Sequence, residues 1–188
     1  MTYLLLIIDP QIDFTHQDGN YASRHGISQI TEAKSKINLL AAAKGLKTII
    51  VRAEYSHGQF IPGASIAIAG TFGHQIDAAI LVRDTCTIFA KNDHSCFSSP
   101  KFTELLKTQR PDTLIISGFL AEYCVKETTS DALALGYQVI LIKDAIGTGD
   151  DVQARRSNLF SEFQKKGCTL MDAAECFDRL RVDYFFSV

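Results

Sequence analysis

A three-layer, doubly wound α/β fold, with a mostly parallel sheet and helices on both faces, is what this sequence predicts from three observations. Short apolar runs recur along the whole chain. Longer stretches with apolar residues at helical spacing separate them, the pattern of parallel strands joined by crossover helices. Glycines stand where the helical stretches must stop, as Gly45 and Gly136 do.

Taken in order, the first strand is read at 3–8, where Leu4-Leu5-Leu6-Ile7-Ile8 is unbroken by any polar residue. Residues 27–44 place Ile30, Ala33, Ile37, Leu40 and Ala41 on one helical face, with Gly45 as the stop. Strands follow at 47–52 and 87–90, then a helix at 101–109 and the strand Thr113-Leu114-Ile115-Ile116-Ser117-Gly118. A helix at 122–135, a strand at 138–142 and a short late strand near 168–170 complete the pattern. No repeat, low-complexity tract or linker interrupts it, so residues 1–188 read as one domain.

Composition narrows the function. The chain has 188 residues, 46% apolar and 21% charged, which is ordinary for a globular domain. A chain of this length buries roughly 70% of the surface its unfolded form exposes, so neither disulfides nor a structural metal is needed to hold a core. With 19 Lys+Arg against 21 Asp+Glu and no long run of like charges, no basic face exists for nucleic acid. The apolar runs are far shorter than the roughly 20 residues a bilayer span requires, so no membrane partner is expected. Met1-Thr2-Tyr3 has no positive n-region, and Asp9-Pro10 interrupts the first apolar run, which predicts a cytoplasmic protein. Five cysteines without a CxxC pair fit reduced thiols better than disulfides or a zinc site.

In open α/β sheets, ligands bind at the carboxyl ends of the strands. Asp9 follows the first strand, Lys91 the third, and Cys124 the turn after the fourth. A carboxylate, an ammonium and a thiol are thereby expected to face one cleft. A cysteine attacks as thiolate, favoured at a helix N-terminus and beside a cation. Asp9 is then the candidate to take the thiol proton and return it to a leaving amine. Backbone N–H groups around the turn are candidates for holding an oxyanion. Each residue taken alone also has a structural reading: Asp9 as a turn former, Lys91 as a solvated surface charge, Cys124 as a small core residue.

Four ordered segments carry a resemblance. Leu6-Ile7-Ile8-Asp9-Pro10-Gln11-Ile12-Asp13-Phe14 looks like an opening strand followed by D-x-Q-x-D-F. Gly70-Thr71-Phe72-Gly73-His74-Gln75-Ile76 is similar to a G-T-x-G-x-E-I turn, and Lys91-Asn92-Asp93-His94-Ser95-Cys96-Phe97 to K-x-x-x-S-A-F. Gly118-Phe119-Leu120-Ala121-Glu122-Tyr123-Cys124-Val125 resembles G-V-x-T-x-x-C-V. These motifs resemble those of the isochorismatase-like cysteine hydrolases, which include nicotinamidases and N-carbamoylsarcosine amidohydrolases. The resemblance implies a Cys124–Asp9–Lys91 triad and attack on a small amide, carbamoyl or ureido carbon through an acyl-enzyme. It also implies a cis peptide at Phe119-Leu120, an oxyanion hole from the N–H groups of Leu120 and Cys124, and a homo-oligomer, dimer or tetramer.

The departures are specific. Nicotinamidases hold a metal through Asp-x-His after the second strand, whereas this chain reads Arg52-Ala53-Glu54-Tyr55-Ser56-His57. No metal or other cofactor is therefore expected. The family's Thr before the nucleophile is Ala121, and the Glu of its glycine-rich turn is Gln75.

The long connection from Tyr55 to Phe72 is expected to wall the substrate pocket. Phe14, Tyr55, Phe60 and Phe119 are the candidate apolar contacts, and Arg52, His57 and His94 the polar ones. Two other readings stay open: a vinyl-ether hydrolase of the same fold, which needs no thiol, and a non-catalytic signalling or binding module. Lys143-Asp144 is read as following a strand, with Asp144 a capping or turn residue. The apolar tail Val182-Asp183-Tyr184-Phe185-Phe186-Ser187-Val188 is expected to pack on the domain or on a second subunit.

Overall fold

Six short runs dominated by β-branched and leucine side chains form one sheet in the computed structural model, which describes residues 2–60 and 62–180. They are β1 (Tyr3–Ile8), β2 (Lys47–Ala53), β3 (Thr87–Lys91), β4 (Thr113–Phe119), β5 (Gln138–Gly147) and β6 (Thr169–Met171). Every neighbouring pair is parallel, in the order β3-β2-β1-β4-β5-β6. Helices α1 (Ile12–Thr15), α2 (Ala22–His25), α3 (Ser28–Ala42), α4 (Pro100–Gln109), α5 (Lys126–Ala134), α6 (Gln153–Lys165) and α7 (Ala173–Leu180) complete the fold.

Side chains alternate across a strand, so β1 feeds two separate cores. Leu5 and Ile7 pack with Ile30, Ile37 and Leu40 of α3 and with Phe177 of α7. Leu4, Leu6 and Ile8 pack on the other face with Phe102 of α4, Ala132 of α5 and Phe163 of α6. Three layers result, because both faces of a buried parallel sheet need apolar cover. Among the described residues no helix is long and apolar enough to cross a membrane.

The strands lie within a residue or so of their expected positions, with β5 the exception. It continues to Gly147, so Lys143 and Asp144 are inside the strand rather than after it. Asp144 nevertheless caps a helix, accepting a hydrogen bond from Ala173 N at 2.8 Å at the start of α7. The chain winds from β1 through β2 to β3 and then returns to the far side of β1 with β4. This reversal opens a crevice beyond the carboxyl ends of β1 and β4, where such folds bind ligands. The tail 182–188 lies outside the described residues.

Candidate active site

Asp9, immediately after β1, has φ 47°, a left-handed conformation uncommon for a residue with a side chain. Its N–H donates to Val51 O at 2.9 Å, which ties the end of β1 to β2. The next residues of the motif are fasteners. The Gln11 side chain accepts from Ala53 N at 2.7 Å and donates to Ala53 O at 3.0 Å and His74 O at 2.9 Å. Buried Asp13 accepts from Asn20 N at 3.0 Å and Ala67 N at 2.7 Å. A Cβ on Gly73 would stand 2.2 Å from that carboxylate, so the glycine-rich turn closes on the Asp13 loop only with hydrogen there.

Lys91 ends β3 and is 2% exposed. Its Nζ donates to Tyr55 Oη at 2.9 Å, Asp93 O at 2.9 Å and Cys124 Sγ at 3.4 Å, and lies 3.0 Å from Asp9 Oδ2. An ammonium has three protons, and these three directions use them. The Asp9 carboxylate is consequently paired by charge while neither oxygen accepts an aligned hydrogen bond. It retains the lone pairs needed to take a proton from a neighbour.

That neighbour is Cys124, on a π-helical turn (Ala121–Val125) between β4 and α5. Such turns recur at functional sites. The Phe119–Leu120 peptide before it is cis. Gly118 has φ 112°, and a Cβ there would stand 2.2 Å from Ile8 O, so β4 can lie this close to the end of β1 only with glycine. Tyr55 Oη completes the cluster, 3.4 Å from Sγ.

Burial pushes the Asp9 carboxyl up against the opposing pull of Lys91. Burial is the largest single influence on Lys91 and would lower it, but Asp9, Cys124 and Cys96 together outweigh it and hold the ammonium above its ordinary value. The Cys124 thiol is raised as well, by burial and by Asp9, and Lys91 offsets only part of this. The expectation of a thiolate favoured at rest is thus corrected. It counted the cation and the helix end but not the buried carboxylate beside the sulfur.

A cavity of about 520 Å³ opens above the sulfur. Cys124 alone of the three polar residues lines it, joined by Phe14, Tyr55, Phe60, His94 and Leu120 of those expected near the site. The Tyr55–Phe72 connection does supply one wall, through Tyr55, Gln59, Phe60 and Ile66 among others. Half-buried His94 stacks on Phe60 (ring centroids 4.0 Å apart) and lies tilted beside Tyr123 (5.6 Å), with Nδ1 3.7 Å from Sγ.

Three expected pocket residues lie elsewhere. Phe119 is fully buried in the core, where its ring occupies the space a Cβ on Gly147 would need. Arg52 points to a separate surface depression beside Ile88 and Phe89 and pairs with Glu54 at 3.0 Å. His57 is exposed and bonds Ser65 Oγ at 2.8 Å. Conversely, Tyr21, His25, Tyr123 and Arg155 line the cavity without having been expected. The position of Tyr123 beside Cys124 was a usable signal. Arg155 sits on α6, whose single stripe of Leu159 and Phe163 is too thin to announce a helix.

The residues standing where nicotinamidases bind metal do not fit an ion. Glu54 accepts from Arg52 and lies 3.2 Å from His74 Nε2, while His57 is turned to Ser65. Among the described residues no three His, Cys, Asp or Glu side chains converge to hold one.

The isochorismatase domain model matches residues 3–175. This chain belongs to the isochorismatase family. The N-carbamoylsarcosine amidase of Arthrobacter sp. is 29% identical over 143 residues, covering 70% of this chain and 54% of that protein. The nicotinamidase of Escherichia coli (strain K12) is 39% identical over 71 residues, covering 37% of this chain and 33% of that protein. The matches therefore span about half of one relative and a third of the other. The crystal structure of an isochorismatase family protein from Desulfovibrio vulgaris superimposes with a TM-score of 0.78 at 22% identity, covering 96% of this chain and 98% of that one. That likeness shows the isochorismatase-like fold.

Proposed function

We propose that this isochorismatase-family chain is a cysteine hydrolase that cleaves the C–N bond of a small amide, carbamoyl or ureido compound. The observation that carries the reading is Lys91 Nζ standing 3.0 Å from Asp9 Oδ2 and 3.4 Å from Cys124 Sγ, with Cys124 lining a cavity of about 520 Å³.

In this reading Asp9 takes the thiol proton as Sγ attacks the substrate carbonyl carbon. The elevated thiol means that the thiolate forms at the moment of attack rather than standing ready. Lys91 offsets its charge, and the N–H groups of Leu120 and Cys124 hold the oxyanion. The C–N bond then breaks, Asp9 returns the proton to the departing nitrogen, and water hydrolyses the thioester. No step requires a metal. The same family membership supports assembly as a homo-oligomer, which light scattering of the purified protein measures.

The test is release of ammonia or amine from a panel of small primary amides, N-carbamoyl compounds and ureides. Wild-type protein releases amine from at least one of them. Cys124→Ala and Asp9→Asn, shown folded by circular dichroism, release none. A folded Cys124→Ala protein that still turns over removes the reading.

A further inference from the structure

Of the three groups assigned to acylation, Asp9 is 0% exposed and Lys91 2%, and both lie behind the sulfur rather than on the cavity wall. A water molecule arriving through the cavity to attack an acyl group on Cys124 meets a different side chain. His94 lines that cavity, and its Nδ1 lies 3.7 Å from Sγ. Stacking on Phe60, a tilted contact with Tyr123 and the Tyr55 ring edge-on at 6.2 Å confine the imidazole there.

We propose that His94 is a catalytic residue of deacylation, the base that activates the hydrolytic water at the thioester on Cys124. The inference rests on Cys124 being the nucleophile. With its proton on Nε2, His94 accepts a proton from water at Nδ1 while the water oxygen bonds to the acyl carbon. As the C–S bond breaks, its electron pair goes to Sγ, and the imidazolium returns its proton to that sulfur 3.7 Å away. The acid product leaves, and thiol, imidazole and the Asp9 carboxylate are as they began. Asp9 serves the first half of the reaction and His94 the second.

The charges around His94 favour a base. Its own burial and the Lys91 ammonium at the end of β3 keep it below the ordinary value of 6.5, outweighing Asp93 beside it, Asp9 after β1 and Glu127 on α5, which pull the other way. Phe60, Tyr55, Tyr123 and Cys124 face it from the remaining sides. The imidazole is therefore unprotonated at neutral pH.

The test uses p-nitrophenyl acetate to acetylate Cys124 directly and follows loss of the acetyl group by intact mass across pH. His94→Phe keeps a ring in the stack and removes the base; His94→Gln removes the base and keeps a polar group. In wild-type protein deacetylation has an acid limb centred below 6.5. In both variants it is slower by about 100-fold or more, the usual contribution of a general base, and that limb is gone. Deacetylation at the wild-type rate in either variant, or an acid limb that survives in both, overturns the assignment while leaving Cys124 as nucleophile. Wild-type protein that takes no acetyl group on Cys124 overturns both readings together.

Discussion

Lys91 Nζ stands 3.0 Å from Asp9 Oδ2, and both groups are almost wholly withdrawn from water. The pair is nearly neutral as seen by Cys124. The lysine therefore cannot lower the thiol as a lone cation would, and the site holds a protonated sulfur beside an unfilled carboxylate.

Asp9→Asn separates the two influences. Asp9 raises the thiol and Lys91 lowers it, so deleting the carboxylate charge leaves Lys91 unopposed and the thiol pKa falls. Alkylation of Cys124 by iodoacetamide at neutral pH is then expected to be faster than in wild type, by about tenfold for each unit the pKa drops. Hydrolysis is lost in the same protein. Alkylation slower than wild type would show that Asp9 does not oppose the thiolate.

Lys91→Met removes the counter-ion from a buried carboxylate. An uncompensated buried charge costs about 3–5 kcal/mol, read as a lower denaturant midpoint. Adding Asp9→Asn removes the stranded charge and is expected to restore a large part of that loss. Additive losses in the double variant would mean the two side chains are not coupled.

Gln11→Ala orphans Ala53 N, Ala53 O and His74 O, which together hold the end of β2 to the glycine-rich turn. The expected loss is about 2–4 kcal/mol, measured by thermal or chemical unfolding. Gly118→Ala forces a Cβ to within 2.2 Å of Ile8 O at φ 112°. A soluble Gly118→Ala protein with unchanged unfolding midpoint would contradict the close approach of β4 to the end of β1.

Arg52→Ala and His57→Ala are expected to leave kcat and KM unchanged for whichever panel amide is turned over. Both side chains are directed away from the cavity, to Glu54 and Ser65. A kcat change of tenfold or more in either would place it in the site after all.

Much of this was legible in the sequence, and for a physical reason. Strands covered on both faces leave unbroken apolar runs, so β1, β2 and β4 could be placed closely, and the polar residue after each run marked a strand end. Asp9, Lys91 and Cys124 followed from the fold's placement of those ends. The cavity walls were less legible, since Tyr21 just before α2, His25 at the end of that short helix and Arg155 on weakly amphipathic α6 leave little periodic trace. Phe119 was misplaced because an aromatic beside the Cys124 turn reads alike whether it faces a ligand or the core. The shift of Cys124 was illegible too, because its sign depends on Asp9 being buried against the sulfur.

The most direct measurement is acid-quenched intact mass in the pre-steady state, with the protein mixed with an amide it turns over and the modified peptide mapped. Nucleophilic attack by Cys124 predicts an acyl adduct on that residue alone, appearing with the first equivalent of released amine. Amine released over several turnovers with Cys124 unmodified at every time point would contradict it.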